Sequence, residues 1–102
     1  MAVKLTEPEI QEKLKAAPTW LREGNEIQRK LKFPDFKAAI AFVNRVADLA
    51  EGMDHHPDIL VQYNRVTLSL STHSAGGLTA MDFELARRID VPGGDAGLGG
   101  TL

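Results

Sequence analysis

The sequence contains no cysteine. This absence excludes disulfide bonds, thiolate-bound zinc or iron–sulfur clusters, and a thiol nucleophile. It also suits a reducing compartment, so we expect a cytoplasmic protein. No apolar run approaches the ~18 residues of a membrane-spanning helix, and no apolar segment typical of a signal peptide is present. We therefore expect neither a signal peptide nor a membrane span.

An excess of positive charge is missing as well. Twelve Lys and Arg stand against fourteen Asp and Glu, a net charge of -2. Such a chain has no broad cationic field to attract nucleic acid or an acidic membrane surface. The 102 residues suit one domain, predicted over 1–90, followed by a flexible tail over 91–102 with five glycines. So small a domain buries little surface, which favours a homo-oligomer.

Hydrophobic periodicity predicts seven elements in the order helix, strand, strand, helix, strand, strand, helix. Hairpins separated by helices are typical of an α+β domain. We expect a four-stranded antiparallel sheet with the three helices on one face.

The first helix and hairpin have local signals. Thr6 and Glu9 form a capping-box pattern, and a helix follows to about Ala17. Gly24-Asn25 then supplies a turn between two alternating strands, predicted at Trp20–Glu23 and Glu26–Phe33.

The second helix follows Pro34-Asp35 and is expected to end at Gly52. Its helical spacing predicts a core stripe of Phe36, Ile40, Val43, Ala47 and Ala50. Further apolar residues widen this stripe and suggest a subunit contact: Phe42, Val46 and Leu49.

A second hairpin and a last helix complete the order. The strands are predicted at Asp58–Tyr63 and Val66–His73, with a turn at Asn64-Arg65. Thr79 and Asp82 repeat the capping pattern before a helix that buries Phe83, Ala86 and Ile89.

The three histidines lie in two stretches, His55-His56 after the second helix and His73 at the predicted end of the fourth strand. The second hairpin is expected to bring the imidazoles to one edge, where they supply both an acid and a base near neutral pH. Two alternatives remain open from spacing alone. The histidines are idle in solvent, or they bind zinc with Asp54 or Asp58 as the site of a metal-dependent hydrolase.

A longer pattern includes these histidines. Glu51 precedes His55-His56-Pro57, and Tyr63, His73 and Asp82 follow at fixed spacing. With the segment 72–79, this pattern resembles the pterin-4a-carbinolamine dehydratase family over roughly Leu5 to Asp90. The resemblance implies dehydration of 4a-hydroxytetrahydropterin to quinonoid dihydropterin, with pterin as substrate and neither cofactor nor metal.

The resemblance also implies residue roles. His56 and His73 perform the acid and base steps, and His55 holds the pterin and its 4a-hydroxyl. Glu51 and Asp54 either orient an imidazole or contact the pterin.

Four further residues are weighed against structural roles. Asp82 is a site residue or only a helix cap, and Trp20 lines the pocket or packs in the core. Ser71 and Thr72 are expected to offer backbone groups to the pyrimidine edge, as an edge strand does.

The resemblance implies a homodimer or homotetramer. Members of this family also serve as dimerisation cofactors of a transcription factor. The alternative function is therefore an interaction module for a protein partner.

Overall fold

The computed structural model describes residues 3–91 and has the predicted element order. The tail predicted over 91–102 lies, apart from Val91, outside the described residues. The helices and strands of the described chain are α1 (Glu7–Lys15), β1 (Leu21–Glu23), β2 (Glu26–Lys32), α2 (Phe36–Met53), β3 (Asp58–Gln62), β4 (Arg65–Leu70) and α3 (Ala80–Asp90), with a 3-10 turn at His73–Ala75.

The four strands form one antiparallel sheet in the order β1-β2-β4-β3, which confirms the predicted α+β fold. Alternate residues of β4, Val66, Leu68 and Leu70, are fully buried under the helices. The intervening residues are only partly buried or exposed, so one sheet face carries the core.

The core is a single cluster of buried apolar side chains from the helices, the strands and the loops between them. The buried stripe of α2 differs from the predicted one. It consists of Ala39, Phe42, Val46 and Ala50, whereas Phe36 is 48% exposed and Ala47 is exposed. The expectation that Phe42 and Val46 lie at a subunit contact was therefore wrong, because both are buried in the core. Because α2 is apolar on more than one face, packing against the sheet and α3 decides which stripe is buried.

Several predicted boundaries were wrong, including the turn predicted at Asn64-Arg65, because Arg65 already pairs with Gln62 in the sheet. Helix α2 continues through Gly52 to Met53, because Asp54 adopts the left-handed conformation that ends the helix. Tyr63 is not in a strand but in the β3–β4 turn, with φ of 53° and an exposed ring. Strand β4 ends at Leu70, so His73 lies in the 3-10 turn beyond the sheet.

The C-terminal end of α3 is held by side chains from other elements. The Asp90 carboxylate accepts hydrogen bonds from Trp20 Nε1 at 3.0 Å and from Arg29. Arg45 of α2 donates to the carbonyls of Ile89 and Arg88. These contacts fix the axis of α3 and therefore the position of its first turn.

Across residues 3–91, no helix combines the length and apolar character needed to cross a membrane.

Candidate functional site

The end of α2 determines where His55 points. Asp54, with φ of 50° and ψ of 44°, reverses the chain, and the His55 amide then donates to the Ala50 carbonyl at 3.0 Å. This is the closing bond of a Schellman motif, and Asp tolerates the left-handed position better than most residues. The motif turns the His55 side chain inward, where the residue is only 8% exposed.

Asp82 is the partner that His55 meets. The Asp82 side chain is fully buried in the first turn of α3, and its Oδ1 lies 2.6 Å from His55 Nε2. Its Oδ2 accepts from the Thr79 amide and from the Thr72 hydroxyl, each at 2.9 Å. The two readings of Asp82 are therefore not exclusive, because one carboxylate both caps α3 and contacts an imidazole.

His56 has a different environment from His55. Its side chain is 55% exposed, and Nε2 lies 2.5 Å from the exposed Glu51 carboxylate, one turn back on α2. Pro57 follows and disfavours the helical conformation at His56, so the chain leaves in an extended direction toward β3. Adjacent histidines thus present one buried and one solvent-facing imidazole.

His73 begins the 3-10 turn and is exposed. The turn is enclosed by a bridge in which Thr72 and Gly77 exchange backbone hydrogen bonds of 3.0 and 3.3 Å. The Thr72 amide is consequently not free, and β4 is a central strand. The edge-strand reason for a Thr72 backbone contact with substrate was wrong.

The sheet register places both histidine stretches at one end of the β3–β4 hairpin. Asp58 pairs with Ser69, so the chain before β3 and the chain after β4 leave from the same side. The contacts from Thr72 to Asp82 and from Asp82 to His55 then join the two stretches directly. His56 and His73 are exposed to solvent, and His55 is buried.

Other predicted site residues lie apart from this cluster or have other partners. Trp20 is buried in the core and bonds Asp90, about 12 Å along α3 from Asp82. The Ser71 hydroxyl donates to the Asn25 carbonyl at 2.8 Å, and Asp54 is exposed. Substrate contacts of Glu51, Asp54 and Ser71 stay predictions.

The described part of the chain offers no group of side chains that could serve as ligands for the zinc alternative. Between residues 3 and 91, no three His, Asp or Glu side chains are grouped as metal ligands. The only His–carboxylate contacts in this range are the two pairs described, and each joins one imidazole to one carboxylate.

The hydrogen bond between the Thr72 and Thr79 hydroxyls was not predicted from the sequence. The two hydroxyls lie 2.8 Å apart, and both residues are buried. The sequence does contain a signal for this contact. Thr72 and Thr79 lie on either side of Gly76-Gly77, where a tight turn can bring the two side chains together.

Comparison with known proteins identifies the family. The family model for pterin 4 alpha carbinolamine dehydratase matches residues 3–91. The chain belongs to this family. A relative from Picosynechococcus is 52% identical over 88% of this chain and 98% of its own length, and one from Roseiflexus castenholzii is 54% identical over 88% and 97%. Both carry the provisional name pterin-4-alpha-carbinolamine dehydratase.

Two solved structures are similar to this fold. A Brucella melitensis protein described as a transcriptional coactivator/pterin dehydratase is 41% identical, with a TM-score of 0.80 over 84% of this chain and 94% of its own. A pterin dehydratase-like RuBisCO assembly factor of the alpha-carboxysome is 22% identical, with a TM-score of 0.59 over 70% and 84%. The second likeness shows the shared fold alone.

Proposed function

We propose that this protein dehydrates 4a-hydroxytetrahydropterin to quinonoid dihydropterin and water by general acid and base catalysis from histidines. The observation that carries the proposal is the contact of Asp82 with both His55 and Thr72. This contact brings the segment with His55-His56 next to the segment with Thr72-His73, which supports the proposal in a chain whose family is named for this reaction.

The reaction needs two proton movements. The bond from C4a to the hydroxyl oxygen breaks, and a general acid protonates the departing oxygen so that it leaves as water. A general base removes the proton from N5, and its electron pair forms the new C4a–N5 double bond. Atoms and electrons balance without an oxidant or reductant.

His56 and His73 suit these two proton transfers because their imidazoles are accessible from solvent. The Glu51 carboxylate next to His56 Nε2 favours one orientation of the His56 ring. His55 is buried against Asp82 and is therefore suited to hold the substrate hydroxyl in place rather than to exchange protons with solvent.

The test measures the turnover of freshly generated 4a-hydroxytetrahydropterin. Absorbance monitors the reaction, and the rate in buffer without protein is subtracted. His56→Ala and His73→Ala are each expected to lower kcat roughly a hundredfold, the usual effect of losing a general acid or base. Gln62→Ala is the matched control, because this exposed residue lies at the opposite end of the same hairpin. Wild-type rates in both histidine variants would reject the mechanism.

We place this activity in pterin recycling in the cytoplasm, where the reaction would follow the hydroxylation that forms the 4a-hydroxypterin. Both assignments follow from the proposed substrate and from the absence of cysteine.

We also propose that the chain forms a homodimer or homotetramer through α2. Phe36 is 48% exposed, and Ile40 and Val43 on the same helix are only half-buried. An apolar stripe of this kind is typical of a surface covered by another chain. Phe36→Asp is expected to lower the molar mass of the oligomer measured by light scattering. Lys37→Asp, at the neighbouring exposed residue, is expected to leave it unchanged.

The same stripe favours the second candidate function, an interaction module for a protein partner. The Brucella melitensis protein is described as a transcriptional coactivator as well as a pterin dehydratase. If Phe36→Asp leaves the wild-type oligomer intact, the stripe is not the self-association surface.

A further inference from the structure

We propose that Thr72 and Thr79 are positioning residues that hold His55 Nε2 as a hydrogen-bond donor to Asp82, so that the neutral ring carries its proton on Nε2 and leaves Nδ1 unprotonated. The tautomer follows from the hydrogen bonds around Asp82. Its consequence for catalysis rests on the function proposed above.

The direction of each hydrogen bond can be assigned along this network. The Met81 amide donates to Thr79 Oγ1 at 3.2 Å, so that oxygen accepts from the backbone. The Thr79 hydroxyl proton is therefore free to point at Thr72 Oγ1, 2.8 Å away. Thr72 in turn donates its hydroxyl proton to Asp82 Oδ2.

Asp82 consequently receives two donors at Oδ2, the Thr72 hydroxyl and the Thr79 amide. An ionised carboxylate only accepts hydrogen bonds, and Oδ2 already accepts two of them. The remaining oxygen, Oδ1, then requires a donor from His55, and that donor is Nε2–H. No buried side-chain nitrogen or oxygen of the described residues lacks a partner in this arrangement.

Helix capping alone does not explain the network. The α1 capping box, made by Thr6 and Glu9, has the same reciprocal pair of bonds and is exposed. The α3 box is buried and adds Thr72 and His55 to the same carboxylate. The additional partners indicate a task beyond starting a helix.

Thr72 also connects this network to His73. Its carbonyl accepts from Ala75 at 3.0 Å, and its amide and carbonyl bond Gly77. The hydroxyl of one residue thus orients Asp82, while its backbone supports the turn that carries His73. Loss of the hydroxyl is expected to loosen His55 without removing any group that touches the substrate.

The first test is the tautomer of His55, read from ¹⁵N shifts of labelled protein by NMR above neutral pH. Wild type is expected to show Nε2 protonated and Nδ1 unprotonated. Thr72→Val is expected to give a mixture of tautomers, because Asp82 loses the hydroxyl that fixes the orientation of its carboxylate toward His55. Thr72→Ser is expected to restore the wild-type pattern. Thr67→Val, the same change on β4 outside this network, serves as the control.

The second test is steady-state kinetics of the same variants. Thr72→Val is expected to lower kcat about tenfold with little change in KM, since a slightly misplaced group costs rate rather than binding. Thr72→Ser and Thr67→Val are expected to retain wild-type kcat. Circular dichroism checks that each variant is folded.

The outcomes separate this inference from the proposed function. A wild-type His55 tautomer in Thr72→Val overturns the positioning role, whatever the activity. A wild type without dehydratase activity but with the expected tautomers rejects the proposed function and leaves the hydrogen-bond assignment standing.

Discussion

Replacing Asp82 with alanine tests how much of the fold depends on the buried network. The carboxylate is fully buried, and its removal strands three donors: His55 Nε2–H, the Thr72 hydroxyl and the Thr79 amide. Each unsatisfied buried donor costs about 1–3 kcal/mol. Because the hydroxyl and the imidazole can find new partners, we expect a total loss of roughly 3–5 kcal/mol.

That loss is a large fraction of the about 5–15 kcal/mol that stabilises a typical domain. With a urea m-value of about 1–3 kcal/mol/M, the unfolding midpoint should fall by roughly 2 M. Glu9→Ala provides the control, because it removes the corresponding carboxylate from the exposed capping box, where water can satisfy the freed amide, and should lower the midpoint much less. Equal midpoint shifts in the two variants would refute the reasoning that burial makes Asp82 different.

Two further predictions concern glycine positions and an exposed ion pair. Gly76→Ala should destabilise the fold by about 1 kcal/mol because φ is 78° there, whereas Gly52→Ala inside α2 should stabilise it by about 0.5–1 kcal/mol. Thermal unfolding measures both changes. The same sign for both would contradict the backbone conformations assigned to these glycines. Hydrogen bonds from Arg87 and Arg88 lower the pKa of Glu84 from 4.5 to about 2. The Glu84 carboxylate therefore binds a proton less readily in the folded state than in the unfolded state. The stabilisation from its ion pairs with Arg87 and Arg88 is complete above pH 4.5 and is lost as the pH falls toward 2. Because these ion pairs are exposed, Glu84→Gln should lower the free energy of unfolding by at most about 1 kcal/mol at pH 7 and leave it unchanged near pH 2. An equal loss at both pH values would contradict an electrostatic origin of the stabilisation.

The order of elements was predictable because its signals are local. Both capping boxes lie where Thr6 and Thr79 indicated them, and the first turn lies where Gly24-Asn25 indicated it. Each of these features depends on neighbours within a few residues, so no knowledge of tertiary packing was needed.

The errors arose where distant residues decide the outcome. The buried face of α2 depends on what packs against it, and its sequence offers two apolar stripes. His73 was assigned to a strand because the bridge between Thr72 and Gly77, which shapes the 3-10 turn, has no pattern in a short window.

The candidate site was predictable in part. The three histidines and Asp82 were identified as chemistry-bearing residues, and the hairpin correctly places both stretches at one end. Which imidazole is buried was not predictable, because it depends on the left-handed Asp54 and on the partner carboxylate 27 residues further along the chain. The capping box already accounted for Asp82, and this local explanation concealed its contact with His55.

The central claim is that imidazoles from two separate stretches of the chain surround one pterin ring. The most direct measurement is an NMR titration of ¹⁵N-histidine-labelled protein with a stable dihydropterin as product analogue. The account predicts that the resonances of His55, His56 and His73 all move along one binding isotherm. Saturation with pterin that leaves His73 unmoved, while the other two respond, would contradict it.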